Sequence, residues 1–245
     1  MNNLKLKLKN YFSNYNFSFK QFFYDCFKHP LYLITHPIKG FDEFKREKTS
    51  KLYVAIFYVV MMIVTQTVMY NAGGFLINKN KPNEFNFLLT VVLVLFPILL
   101  GVVGNWASTA LMDGKGTMGE IFRVIGYSLF PFVWFGLFAT LFSNFITVDE
   151  IVFYNFFMYL GILLTAYMIF FGLMGIHEFG LLKNIMMLVF TIVAIAVILF
   201  IILLFLSLIQ YVYSFLSSVI EEFIARYLWI IWKVIDPFHG IKVYS

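Results

Sequence analysis

The chain has 245 residues, 61% of them apolar and only 13% charged, with a net charge of +5 and a mean hydropathy of +0.85. A soluble domain keeps roughly a quarter of its residues charged, so this composition excludes one and indicates an integral membrane protein. The basic excess flanks apolar segments without any nucleic-acid-binding motif, which makes lipid head groups its expected partner and excludes nucleic acid.

From Met1 the chain is polar, basic and aromatic by turns. No apolar run follows as a secretory signal would require, so the N-terminus is expected to be retained, and Asn2 in place of glycine removes the myristoylation motif. Phe12, Tyr15, Phe19, Phe22, Phe23 and Phe27 recur at three- or four-residue spacing, with Lys20, Asp25 and Lys28 off that stripe. This pattern predicts an amphipathic helix lying on one leaflet. His29-Pro30 and His36-Pro37 are expected to break the chain, and Gly40 to Lys51 reads as a charged juxtamembrane segment carrying Lys45, Arg46, Lys48 and Lys51. The single cysteine, Cys26, excludes an internal disulfide and a multi-cysteine metal site.

Five spans are predicted, at about Leu52 to Tyr70, Phe87 to Met112, Ile121 to Phe142, Ile151 to Gly175 and Ile185 to Tyr211. After Tyr211 an apolar stripe of Leu216, Val219, Ile220, Phe223, Tyr227, Ile230, Ile231 and Val234, with Glu221, Glu222, Arg226 and Lys233 off it, predicts a second surface helix. The expected fold class is therefore all-α, a polytopic five-helix transmembrane bundle with flanking interfacial amphipathic helices. It divides into a cytoplasmic region at 1–51, a membrane domain at 52–211 and an interfacial helix with tail at 212–245.

Ten Lys and Arg precede the first span, and Lys115, Arg123 and Lys183 share their side, whereas Lys79, Lys81, Arg226, Lys233 and Lys242 fall opposite. That bias places the N-terminus in the cytoplasm and the C-terminus outside.

The second and third spans meet in the stretch from Gly101 to Phe132, around which the chain is organised. Gly101, Gly104 and Ser108 are small residues that admit a close helix, and Asn105 is an amide inside an apolar segment. Asp113, Gly114, Lys115 and Gly116 read as a turn with glycines at positive φ, and Asp113 is expected to cap the following segment. Gly126 and Tyr127 follow, and Pro131 is expected to bend the third span and free a carbonyl.

No Asp, Glu, Lys or Arg lies deep in a span, which disfavours a proton-coupled carrier or pump. His177-Glu178 lacks a second ligand three or four positions away, so it reads as a surface cap at a helix end rather than a metal or catalytic pair. No serine elbow and no Cys–His pair is present, and neither enzymatic activity nor a cofactor is expected.

The segments Ala110 to Phe132 (ALMDGKGTMGEIFRVIGYSLFPF) and Thr35 to Lys45 (THPIKGFDEFK) resemble the Ypt-interacting-protein (Yip) domain family in its bacterial form. The resemblance is carried by Pro37, Gly40, Asp113, Gly114, Gly116, Gly126, Tyr127 and Pro131. It implies five spans, a cytoplasmic N-terminus and a C-terminus outside, in agreement with the charge bias. The Asp-Leu-Tyr-Gly-Pro signature of relatives associated with Rab-type GTPases is not found in the N-terminal region, so that role is not carried over. The expected function is a non-catalytic scaffold or accessory protein of the plasma membrane that binds another membrane protein, its own copy or lipid. The alternative is a channel or permease-like component lined by Gln66, Asn105, Ser108, Thr109 and Thr165.

Overall fold

The computed structural model describes residues 19–47, 49–81 and 84–235, with side chains to residue 232. Phe12, Tyr15, Lys48 and Lys242 of the sequence patterns lie outside this description, as do the side chains of Lys233 and Val234. The described residues are helical, with no strand among them.

The described residues open with α1 (Phe19–Phe23), a π turn (Tyr24–Lys28) and α2 (His29–Thr35), which follow one another without a break. The expected break at His29-Pro30 does not occur, because Pro30 occupies the first turn of α2, where its missing N–H is not needed. The second break does: His36, with φ −131° and ψ 63°, separates α2 from α3 (Pro37–Arg46). The supposed juxtamembrane segment is therefore largely a helix. Its Phe41 and Phe44 are buried, as are Cys26 and Leu33 before it, so α1 to α3 seat an aromatic face on the bundle.

The spans are α4 (Leu52–Ala72), α5 (Phe87–Met112), the pair α6 (Met118–Ser128) and α7 (Phe130–Phe142), α8 (Ile151–His177) and α9 (Leu181–Ile235). Five helical segments are long and apolar enough to cross a membrane, α6 and α7 together forming one of them. The third span is not simply bent: α6 ends at Ser128 and α7 starts at Phe130, because Pro131 has no N–H for the carbonyl of Tyr127. The surface helix expected from residue 212 is not a separate element, since α9 runs unbroken through 55 residues with neither glycine nor proline.

Hydrogen bonds fix both ends of the bundle formed by residues up to Ile195. At one end the Gly74 amide donates to Ser143 Oγ at 2.7 Å, and Asn144 Nδ2 donates to the Ala72 carbonyl at 2.9 Å. At the other, Lys51 N donates to the Tyr127 hydroxyl at 3.0 Å, and Lys51 Nζ pairs with the buried Asp25 at 2.5 Å. Close backbone approaches set the packing between. A Cβ on Gly126 would fall 2.7 Å from Ala55 Cα, joining α6 to α4, and one on Gly175 would meet Phe41 at 2.8 Å, joining α8 to α3.

The unit from Ala196 onward is the remainder of α9. None of its residues to Trp232 is buried, although Phe200, Phe205, Phe215 and Phe223 are among them.

Candidate functional site

α5 ends on Asp113, whose φ of 52° and ψ of 40° place it in the left-handed region. The short polar side chain of aspartate tolerates that conformation better than most residues. The expectation that glycines supply the positive φ here is corrected, for no glycine among the described residues has one. Asp113 also does not cap the next helix. Thr117 does: its Oγ1 accepts from the Glu120 amide at 3.4 Å, and Glu120 Oε2 accepts from the Thr117 amide at 2.8 Å, forming a capping box.

Gly114 and Gly116 are required for another reason. A Cβ on Gly114 would stand 2.7 Å from His177 Nδ1, and one on Gly116 would stand 2.6 Å from His177 Cε1. The turn thus closes over the imidazole of His177, which is 1% exposed. The reading of His177 as a surface cap is overturned, while its neighbour Glu178 does terminate α8 in a left-handed conformation with φ 57°.

The buried imidazole heads a chain of directed hydrogen bonds. The Gly116 amide donates to His177 Nδ1 at 3.1 Å, which fixes the proton on Nε2 and makes that nitrogen the donor to Asn105 Oδ1 at 2.9 Å. Asn105 Nδ2 donates to Thr191 Oγ1 at 3.1 Å, and the Thr191 hydroxyl donates to the Met187 carbonyl at 2.8 Å. Four parts of the chain, the turn, α8, α5 and α9, are tied by groups that are all buried. Each bond is made where unpaired polar atoms are costly, so the set is satisfied as a unit.

An ion-pair layer lies outside this core. Lys115 Nζ meets Glu178 Oε2 at 2.6 Å and Lys45 Nζ lies 3.6 Å from Oε1, while Lys45 also donates to the Ile176 carbonyl. The hydrogen bond from Lys115, with the charges of both lysines, holds the Glu178 carboxyl below the usual carboxylate range.

The remaining predicted residues fall into separate contacts. Gly104 meets Ile195 on α9, where a Cβ would come within 2.5 Å of Ile195 Cγ1. Ser108 is fully buried and bonds the Gly104 carbonyl of its own helix at 2.8 Å. At Gly101 a Cβ would meet only Ile125 Cδ1 of α6, at 3.6 Å. Gly126 and Tyr127 serve the contact with α4 and the N-terminal helices, Tyr127 standing edge-on to Phe44 at 5.1 Å and to His29 at 5.5 Å.

Both nitrogens of His177 are engaged, which leaves the ring without a free atom for proton transfer. Among the described residues no three His, Cys, Asp or Glu gather to hold a metal ion. Cys26 is buried, and burial beside Asp25 pushes its thiol up to about 11, far from a reactive thiolate. The arrangement ties the turn, α8, α5 and α9 to one another.

A cavity of about 570 Å³ opens beside the network, among α4, α5, α6, α8 and α9. Of the five polar residues expected along a conduit, Gln66 and Asn105 line it. Ser108, Thr109 and Thr165 do not.

The family model of the Yip1 domain matches residues 31–205. The chain belongs to the Yip1 domain family. The matched region of this Yip1 domain begins in α2, ends in α9 and contains the turn, His177, Asn105 and Thr191. Comparison with curated proteins gives no match, and neither does comparison with solved structures.

Sequence reasoning missed His177 and Thr191 as members of the site. A histidine closing an otherwise apolar span, with glycines at Gly172 and Gly175 just before it, was the available signal.

Proposed function

We propose that this Yip1 domain protein is a non-catalytic scaffold or accessory protein of the bacterial plasma membrane, with its N-terminus in the cytoplasm and its C-terminus outside. Its task is to bind another membrane protein or a second copy of itself. The supporting observation is α9: a crossing needs about 20 residues, the helix has 55, and its most apolar window is 0% buried. Apolar surface in excess of a crossing is not left against water, and the stripe of Leu216, Ile220, Phe223, Tyr227 and Ile230 is such surface. The fully engaged His177 network accords with a holding role rather than a reacting one.

The test uses the full chain in mild detergent, carrying two different tags, beside a variant with Leu216, Phe223 and Ile230 changed to Ser. Capture of the second tag or of one stoichiometric membrane protein by the parent, lost in the variant, is the expected result. A monomer under both conditions overturns the reading. Topology is checked separately: a reporter after Lys45 should read as cytoplasmic and one after Ser245 as extracytoplasmic.

The cavity favours a second reading, a permease-like component moving a small solute past Gln66 and Asn105. Solute flux in liposomes that is present in the parent and abolished by Asn105→Leu at unchanged thermal stability would establish it over the scaffold.

A further inference from the structure

The cavity is built unevenly. At one mouth stand Gln66, Tyr70 and Thr90, and further in the wall is apolar, with Val94, Ile98, Leu129 and Leu173. Asn105 and Thr191 close the far end, but their polar atoms are consumed by the network with His177 and Met187. Tyr70 donates to the Lys81 carbonyl and Thr90 to the Asn86 carbonyl. The Gln66 amide is different: it makes no hydrogen bond with any described residue. It lies six residues, about 9 Å, before the end of the α4 span, where an amide left unpaired away from water is costly.

Size selects the occupant. From Thr90 to Asn105, α5 lines the cavity over fifteen residues, about 22 Å. A helix about 10 Å across would fill on the order of 1,700 Å³ over that length, far more than the 570 Å³ present. A hydrocarbon chain about 4 to 5 Å across, from carbon contact distances, needs on the order of 400 Å³. A polar solute would meet one free amide and an apolar wall, so it gains little by entering.

We infer that the cavity holds one acyl chain of a membrane phospholipid, whose ester carbonyl accepts a hydrogen bond from Gln66 Nε2. The inference stands apart from the scaffold reading, since it rests on the cavity and not on α9. Gly101 sits in the wall, where a Cβ would make only an ordinary contact with Ile125 Cδ1 at 3.6 Å, so a much larger side chain there would occupy the path of the lipid tail.

The experiment reconstitutes the full chain in vesicles of ester-linked phosphatidylglycerol carrying a diazirine in mid-chain, followed by irradiation and mass-spectrometric mapping. Adducts should concentrate on Val94, Ile98, Leu129 and Leu173 above the level on Leu88, Val92 and Leu99, which are exposed on α5. Gln66→Leu should lower the cavity adducts roughly 3- to 20-fold, the equivalent of one hydrogen bond in a membrane, and leave those on the exposed residues unchanged. An ether-linked probe, which lacks the carbonyl, should show the same loss on the parent chain. Gly101→Phe should abolish the cavity adducts in a folded chain; where it does not fold, Gln66→Leu and the ether probe decide. Equal labelling of cavity and exposed residues overturns the inference, as does absence of cavity adducts in the parent, which a solute or protein occupant would produce. Cavity adducts indifferent to both Gln66→Leu and the ether linkage overturn it as well.

Discussion

α8 and α9 are both long apolar helices, with mean span hydropathies of 2.0 and 3.5, yet α8 is locked into the bundle while none of the described residues of α9 beyond Ile195 is buried. The difference lies in residues that hydropathy ignores. α8 carries Gly161, Gly172, Gly175 and His177, and each meets a neighbour: Phe132 and Phe135, Val124 and Phe41, Phe41 again, and the turn at Gly114 to Gly116. Beyond Ile195, α9 has no glycine, and its uncharged polar residues are Ser207, Gln210, Ser214, Ser217 and Ser218. Lipid tails are as apolar as leucine, so helices in a membrane associate through small residues and interhelical hydrogen bonds rather than through hydrophobicity. A stretch rich in apolar residues but without glycine or a bond to another helix keeps its side chains unburied.

The sharpest way to break this contrast is to remove the ring that organises the packed end. His177→Ala leaves the Gly116 amide and Asn105 Oδ1 without partners and opens a void among buried groups. The two effects together should cost about 3 to 5 kcal/mol, read as a fall in thermal stability in detergent. Asn105→Leu should cost less, about 1 to 2 kcal/mol, because Thr191 keeps its bond to Met187. A His177→Ala protein as stable as the parent would mean that the network is incidental to the fold.

Next comes the fit of the turn. Gly116→Ala drives a methyl into a ring held by hydrogen bonds on both sides, so the ring cannot step aside, and the change should cost about 1 to 3 kcal/mol. Gly119→Ala is the control, three residues on, where a Cβ meets only Arg123 at 3.9 Å and the substitution should be neutral or mildly stabilising. Equal effects at the two glycines would point to loss of backbone freedom instead of a collision.

This pair also shows where sequence reading stops. Five spans and the all-α class were legible, because uninterrupted apolar length is a property of neighbouring residues. The importance of Gly114, Gly116 and Asn105 was legible as type and position but not as cause. The cause is a ring lying 61 residues from Gly116 and 72 from Asn105 along the chain, and no local pattern announces such a contact. The continuity of α9 was open to inference, since no glycine or proline separates Leu181 from Ile235. A change from uniformly apolar to striped composition after Tyr211 drew attention from it.

A smaller effect concerns the ion pairs over the network. Glu178 has its carboxyl lowered by Lys115 and Lys45, so the stabilisation is present above the ordinary glutamate value of about 4.3 and is lost as pH falls through the folded value. The difference in melting temperature between the parent and Glu178→Gln should hold steady near neutral pH and vanish on acidification. It should also shrink with added salt, because these side chains are accessible. A difference that persists unchanged at the acid end would assign the effect of the substitution to the helix end, where Glu178 has positive φ, and not to charge.

The smallest effect on the fold should come from α9 itself, and it tests the contrast from the other side. Leu33 in α2 is fully buried, and Leu33→Ala should cost about 2 to 5 kcal/mol, the range for a leucine removed from a packed interior. Leu206 in α9 is 56% exposed, and Leu206→Ala should leave thermal stability within about 0.5 kcal/mol of the parent. Both changes delete the same atoms from helices of the same protein, so the ratio of their effects measures how much of the apolar surface the chain uses for itself. If Leu206→Ala were to cost as much as Leu33→Ala in dilute detergent and that cost were to shrink on dilution, α9 would already be covered by a second copy. If the cost persisted at every concentration, the distal helix would fold against its own chain, and the proposal that it serves a partner would fall.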